Sequence, residues 1–204
     1  NLTSLVIGPG VSSIGRGAFS GCSGLTGELA LPDGRREIEP WVFAFCSGVT
    51  GTLTIPDSVG HIGATAFAGW VGLTGTLVIP AATTNTDDGA FENCPGLSDL
   101  VLGNGVKRIG VQAFGRCGGL AGTLSVPGNV TDVGDYAFVN CGALTGVTFG
   151  LGVTRIGSYA FLNCPELTGV LVIPDSVTEI GVSAFIDCAK LTGVTLGNQV
   201  ARIG

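Results

Sequence analysis

Apolar residues fall into one register that recurs along the whole chain. A Phe, usually preceded by Ala, stands at Phe19, Phe43, Phe67, Phe91, Phe114, Phe138, Phe161 and Phe185, in steps of 24, 24, 24, 23, 24, 23 and 24 residues. Three residues after each comes Cys22, Cys46, Trp70, Cys94, Cys117, Cys141, Cys164 or Cys188. Three further on stands Leu25, Val49, Leu73, Leu97, Leu120, Leu144, Leu167 or Leu191. Upstream of the Phe lies an apolar pair, as in Val59 and Ile62, Val106 and Ile109, or Val177 and Ile180, generally followed by Gly. Downstream of the Leu come short alternating segments, Leu29–Leu31, Leu53–Ile55, Leu77–Ile79, Leu124–Val126 and Leu171–Ile173. That period of two predicts strands with one face buried. Each strand stops at Pro in the 24-residue units (Pro32, Pro56, Pro80, Pro127, Pro174) and at Gly in the 23-residue units (Gly8, Gly103, Gly150, Gly197), residues that break a ladder for backbone reasons. The Ala-Phe-x-x-Cys piece predicts one helical or 3-10 turn, too short to stand alone.

A unit this short cannot bury its own apolar residues, so equivalent positions must stack on the neighbouring unit. The prediction is an α/β solenoid: a right-handed superhelix with a parallel β-sheet on its concave face and short helical turns and coil elsewhere. Residues 1–204 form a single array of about eight to nine units, a rod roughly 40 Å long at the ~4.8 Å strand spacing. Both ends fall in mid-unit, so flanking repeats of the same chain are expected.

Composition agrees. Glycine accounts for 36 of 204 residues and charged residues for only 12%, which suits tight corners and disfavours a helical bundle. The formal charge is -6, with no basic cluster beyond the pairs Arg35-Arg36 and Lys107-Arg108, so nucleic acid is not an expected partner. The uncharged stretch from Ser58 to Thr86 is read as repeat core, because Gly60, Gly63, Gly69, Gly72, Gly75 and Pro80 interrupt it at corners; no membrane span is expected within the segment.

The pattern L-x-G-x-L-x-I-P-x-x-V-x-x-I-G-x-x-A-F-x-x-C resembles the leucine-rich repeats of the BspA-type class. It is clearest over Leu73 to Pro80, Leu167 to Cys188 and Val49 to Phe67, and registered copies cover essentially the whole chain. The resemblance implies a non-catalytic, surface-exposed module that binds or adheres to a protein or glycan ligand, outside the cell or on its surface. A structural spacer, or the recognition arm of a larger multidomain protein, is the alternative. Two units depart from the pattern and are where stacking should be weakest. In one, Arg35, Arg36, Glu37, Glu39, Pro40 and Trp41 surround a lone Ile38; in the other, Thr83 and Thr86 take the apolar slots ahead of Asp87 and Asp88.

All seven cysteines share one column, which spreads their sulfurs along the rod and argues against a zinc cluster and for free thiols packed as small hydrophobes. His61 falls on a solvated corner, in the column of Ser13, Glu37, Arg108, Asp132, Arg155, Glu179 and Arg202, without an evident catalytic partner. No nucleophile elbow, zinc-protease or phosphate-loop motif is present. No enzyme activity and no cofactor are expected. The expected binding residues are those pointing outward from the strands: Val6, Ala30, Thr54, Val78, Val101, Ser125, Thr148, Val172 and Thr195. Trp41, Tyr136 and Tyr159 share one column on the turn before the Phe, as contact anchors or lateral packing. Asn1-Leu2-Thr3 and Asn129-Val130-Thr131 match the N-glycosylation acceptor pattern, Asn129 at a corner.

Overall fold

The computed structural model describes residues 2–204. The chain is a solenoid of parallel strands in which each coil lays its apolar columns on those of the next. The unbroken sheet, however, sits on the run read above only as an apolar pair. Eight two-residue strands pair in parallel there: Glu37–Ile38, His61–Ile62, Asn85–Thr86, Arg108–Ile109, Asp132–Val133, Arg155–Ile156, Glu179–Ile180 and Arg202–Ile203. The register is strict, Ile38 opposite Ile62 and Val133 opposite Ile156. One residue of each strand points into the core and the other outward, so two residues suffice.

Under the outward column the expected continuous sheet is instead a series of parallel pairs. Gly75–Ile79 pairs with Leu97–Leu102, Gly122–Val126 with Leu144–Phe149, and Gly169–Val172 with Leu191–Thr195. The segments Leu29–Leu31 and Leu53–Ile55 keep the in–out alternation without forming ladder strands. Within each pair the register slips, at Gly75/Thr76, Leu144/Gly146 and Gly169/Val170. The slip accounts for the two unit lengths. The longer units insert one residue between the column Leu and the first inward strand residue, giving Leu73-Thr74-Gly75-Thr76-Leu77 against Leu97-Ser98-Asp99-Leu100. Gly27, Gly51, Gly75, Gly122 and Gly169 all adopt positive φ at that point, the conformation a bulge asks of glycine. At the far end of the strand, the Gly of the shorter units lets backbones touch: a Cβ on Gly105 would lie 2.0 Å from the Ala81 carbonyl oxygen, and one on Gly152 2.0 Å from that of Gly128.

The Ala-Phe-x-x-Cys segment is not helical; among the described residues there is no helix of any kind. It is a chain of hydrogen-bonded turns bracketed by left-handed residues two before and two after each Phe: Trp41 and Phe45, Tyr136 and Asn140, Tyr159 and Asn163, with Gly17 and Gly21 in the first. A spacing of three buried residues fits a 3-10 turn and a β-turn equally, but the left-handed residues turn alternate amides along the rod axis. The Phe amides then bond the preceding Ala carbonyl of the next coil, Phe67 to Ala90 at 2.8 Å, Phe114 to Ala137 at 2.9 Å and Phe138 to Ala160 at 2.8 Å. The rings follow the amides. All eight Phe rings form one near-parallel stack, with neighbours such as Phe114 and Phe138 at 5.5 Å and 8° and Phe138 and Phe161 at 5.2 Å and 12°. Six of them, Phe43 to Phe161, are fully buried.

The two irregular units stack in register, and the weakness expected there is confined to single polar atoms. Glu37 pairs with His61, His61 with Asn85 and Asn85 with Arg108 without interruption. The polar intruders find carbonyls. Thr83 Oγ1 donates to the Val59 carbonyl at 2.7 Å, and the buried Arg35 guanidinium donates to that of Val11 at 3.2 Å. Arg35 Nε and Thr86 Oγ1 nevertheless stay unpaired, a local weakness.

Candidate functional site

The outward strand column lies where the alternation puts it: Val6, Ala30, Thr54, Val78, Val101, Ser125, Thr148, Val172 and Thr195 are all exposed. Val6, Ala30 and Thr54 sit on segments without ladder strands, and the others on or beside the paired strands. None carries a charge, and the hydrophobic members are substantially bare: Val78 is 50% exposed and Val172 60%. Toward the last coils the face deepens into an open groove of about 1050 Å³, walled by Val147, Phe149, Leu151, Val170, Val172 and Leu196 with Asp175 and Asn198 at its rim. Sequence reasoning missed this groove and its second outward column, in which Val170 replaces the Thr76 and Thr123 of other coils. That replacement was its only sign. Such a surface can desolvate against apolar side chains of a partner, while its Ser and Thr hydroxyls offer hydrogen bonds.

The thiol column does more than the packing expected of it. All seven cysteines are free, six of them buried and Cys22 half-buried. Each buried thiol donates to the carbonyl of the Phe one coil earlier, Cys46 to Phe19 at 3.1 Å, Cys117 to Phe91 at 3.2 Å, and Cys141 to Phe114 at 3.3 Å. The thiols are therefore donors as well as hydrophobes. Trp70 makes the point: in the same slot its indole N–H donates to the Phe43 carbonyl at 2.7 Å. Its presence among cysteines was the sequence signal that the column needs an N–H or S–H group. Burial pushes the thiols up, Cys46 to about 11 and Cys164 to about 12. Cys94 is also raised well above its ordinary value, first through its hydrogen bond with Cys117 and then through burial. At neutral pH Cys46, Cys94 and Cys164 are therefore protonated and not nucleophilic.

The outward residues of the eight-stranded sheet form a ladder of ion pairs. Asp132 is shared by Arg108 at 3.5 Å and Arg155 at 3.0 Å, Arg155 also reaches Asp135 at 2.6 Å, and Arg202 meets Glu179 at 3.5 Å. Burial works to lower the Arg155 guanidinium, but its hydrogen bonds to Asp135 and Asp132 hold it above its ordinary value. His61, read as a solvated corner without a catalytic partner, has its Nε2 3.1 Å from Asp87 Oδ2. Opposite charges in adjacent coils favour this register over a slipped one, so the ladder is read as structural.

The turn column brings two of its three aromatic candidates together. Tyr136 and Tyr159 stack at 4.9 Å and 13°, whereas Trp41 packs against Phe45 of its own turn at 6.4 Å. Asn129 is exposed at its corner, with Nδ2 donating to the Asn104 carbonyl at 2.6 Å. Asn1 of the other acceptor tripeptide lies outside the described residues.

The comparisons with known proteins bear on the fold. No curated protein matches the chain significantly. Among solved structures it is similar to a leucine-rich repeat protein of T. pallidum, with 24% identity and TM-score 0.64 over 92% of this chain and 77% of that one. A leucine-rich repeat protein of Eubacterium ventriosum ATCC 27560 is similar at 23% identity and TM-score 0.58, over 93% of this chain and 59% of that one. One of Bacteroides ovatus ATCC 8483 is similar at 21% identity and TM-score 0.55, over 99% of this chain and 83% of that one. The family model described as "BspA type Leucine rich repeat region" matches in 6 copies, over residues 1–121 and 120–204. With those matches spanning the chain, it belongs to the BspA-type leucine-rich repeat family.

Proposed function

We propose that the chain is a non-catalytic interaction module that binds a protein partner through its outward strand face, displayed outside the cell or on its surface. Leucine-rich repeat proteins are in general non-enzymatic scaffolds that mediate protein interactions, and the finer reading rests on one observation. The outward column from Val6 to Thr195 is uncharged and exposed, and it opens into the apolar groove around Val172 and Leu151. The ion-pair ladder lies on the other sheet, and Asp99, opposite Thr76 in the neighbouring outward column, is the charge that flanks this one on the paired strands. An uncharged apolar centre with a polar rim is the anatomy of an interface core.

The test is a binding screen of the immobilised chain against extracellular and cell-surface proteins, repeated with Val78→Lys, Val101→Lys and Val172→Lys. An ammonium group desolvated against an apolar partner costs several kcal/mol, so a reproducible ligand should be lost. It should be retained by Asp132→Ala on the other sheet. Binding that survives all three lysines would refute the strand-face reading, and a screen without any ligand favours the spacer.

A further inference from the structure

We propose a second binding site, for neutral carbohydrate, on the turn face at Tyr136 and Tyr159. Every coil needs a left-handed residue two positions before its Phe; Gly17 and Gly89 fill that need without steric cost, and Thr65, Gln112 and Ser183 fill it with small or polar side chains. Tyr136 and Tyr159 adopt it at φ 57° and 56°, where a Cβ crowds the neighbouring carbonyl. Burial covers only part of the rings, and Tyr136 keeps 38% of its surface exposed. The turn accepts glycine or a polar side chain at this place, so it does not itself call for a pair of aromatic rings.

Their surroundings define the ligand. The rings form one aromatic ledge across two adjacent coils, stacked at 4.9 Å, near the strand spacing. Beside it opens a crevice of about 310 Å³ between Tyr136, Val139 and Asn140 on one coil and Gln112 and Arg116 on the preceding one, with Leu162 at its edge. Next to the rings, Asn163 Nδ2 donates to Asn140 Oδ1 at 2.7 Å, so each amide keeps further donors or acceptors for a ligand. Gln112 Nε2 and an Arg116 guanidinium nitrogen both donate to Glu92 Oε1, at 2.9 and 3.4 Å. None of these bonds engages a phenol hydroxyl. Arg116, the one charged residue lining the crevice, is already paired with Glu92, so neither an anion nor a cation finds an unpaired opposite charge there. A neutral pyranose needs none. Its C–H face lies on an aromatic ring, its hydroxyl rim both donates and accepts, and successive sugars of a linear chain can follow successive coils.

Titration calorimetry of the full chain with cellohexaose, mannohexaose and xylohexaose tests this. Binding of at least one is expected, with Tyr136→Gly and Tyr159→Gly each weakening it roughly tenfold or more. The same variants should leave Tm unchanged or raised, because glycine relieves the left-handed strain. The strand-face variant Val172→Lys should bind sugar as the wild type does, which separates this site from the protein-binding face. Three outcomes overturn the proposal: none of the three sugars binds, the glycine variants bind them undiminished, or the glycine variants lower Tm and so reveal the rings as packing.

Discussion

Replacing Phe138 by Ala tests the stacked core at its centre. The ring is fully buried and lies between Phe114 at 5.5 Å and Phe161 at 5.2 Å, near-parallel to both. Truncating a buried Phe costs about 3–5 kcal/mol through lost transfer energy and the cavity left behind. Each aromatic pair adds roughly 0.5–1.5 kcal/mol beyond burial, and Phe138 loses two, so the upper half of the range is expected. The backbone ladder cannot collapse to fill the gap, because the Phe138 amide is fixed to the Ala160 carbonyl at 2.8 Å. Phe185 is the internal control: it is half-buried and stacks on Phe161 alone, at 5.4 Å. Its replacement should cost about half as much by the same reasoning. Urea unfolding followed by the fluorescence of Trp70, itself fully buried, reads both variants on one scale. A near-neutral Phe138→Ala, or equal losses at the two positions, would refute the continuous stack.

Other perturbations separate the remaining contributions. Cys141→Val fills the volume of the thiol but leaves the Phe114 carbonyl without its 3.3 Å donor; a loss of about 1–3 kcal/mol is expected by urea unfolding, with Cys141→Ser milder. Gly152→Ala, whose Cβ would meet the Gly128 carbonyl oxygen at 2.0 Å, should destabilise strongly, whereas Gly128→Ala, with nothing within 4 Å, should be neutral or slightly stabilising. The thiols give a signed pH dependence. Folding raises Cys164 from 9.0 to about 12 and Cys46 to about 11, so their contribution is complete below about pH 9. It declines as pH rises toward the folded values, because the unfolded chain then releases protons that the folded chain keeps, by about 1.4 kcal/mol per pH unit for each thiol. Stability that stays flat from pH 9 to 11 would contradict this, and Cys164→Val should shallow the slope. Asp132→Ala should cost under about 1 kcal/mol, and less in high salt, because its partners Arg108 and Arg155 are partly exposed.

The solenoid was legible because its strongest signal is a spacing. Phe, Cys and Leu columns at 23 or 24 residues leave stacking as the only way to bury them. The outward column was legible for the same reason, since a period of two fixes which side chains leave the core. What escaped were features that a side-chain pattern underdetermines. A two-residue strand such as Arg155–Ile156 has no period to detect, so the unbroken sheet was read as a corner. Three-residue spacing around Phe did not distinguish a helical turn from linked β-turns; Asn93, Asn140, Asn163 and Asp187 at the same place in four of the turns were the available clue, since Asn and Asp tolerate left-handed backbone. Arg35 and Thr83 looked like breaks because their polarity was weighed without the carbonyls that a neighbouring coil presents to them.

The central claim is that every coil, the irregular ones included, is locked to the next through its turn. Native-state hydrogen exchange of the Phe amides measures it directly. Phe43, Phe67, Phe91, Phe114, Phe138 and Phe161 each donate to a carbonyl of the following coil at 2.8–3.0 Å, and all six should exchange only through large-scale unfolding, as one protected column. Fast exchange at Phe43 and Phe67, beside the Arg35 and Thr83 units, with protection confined to the later coils, would contradict it.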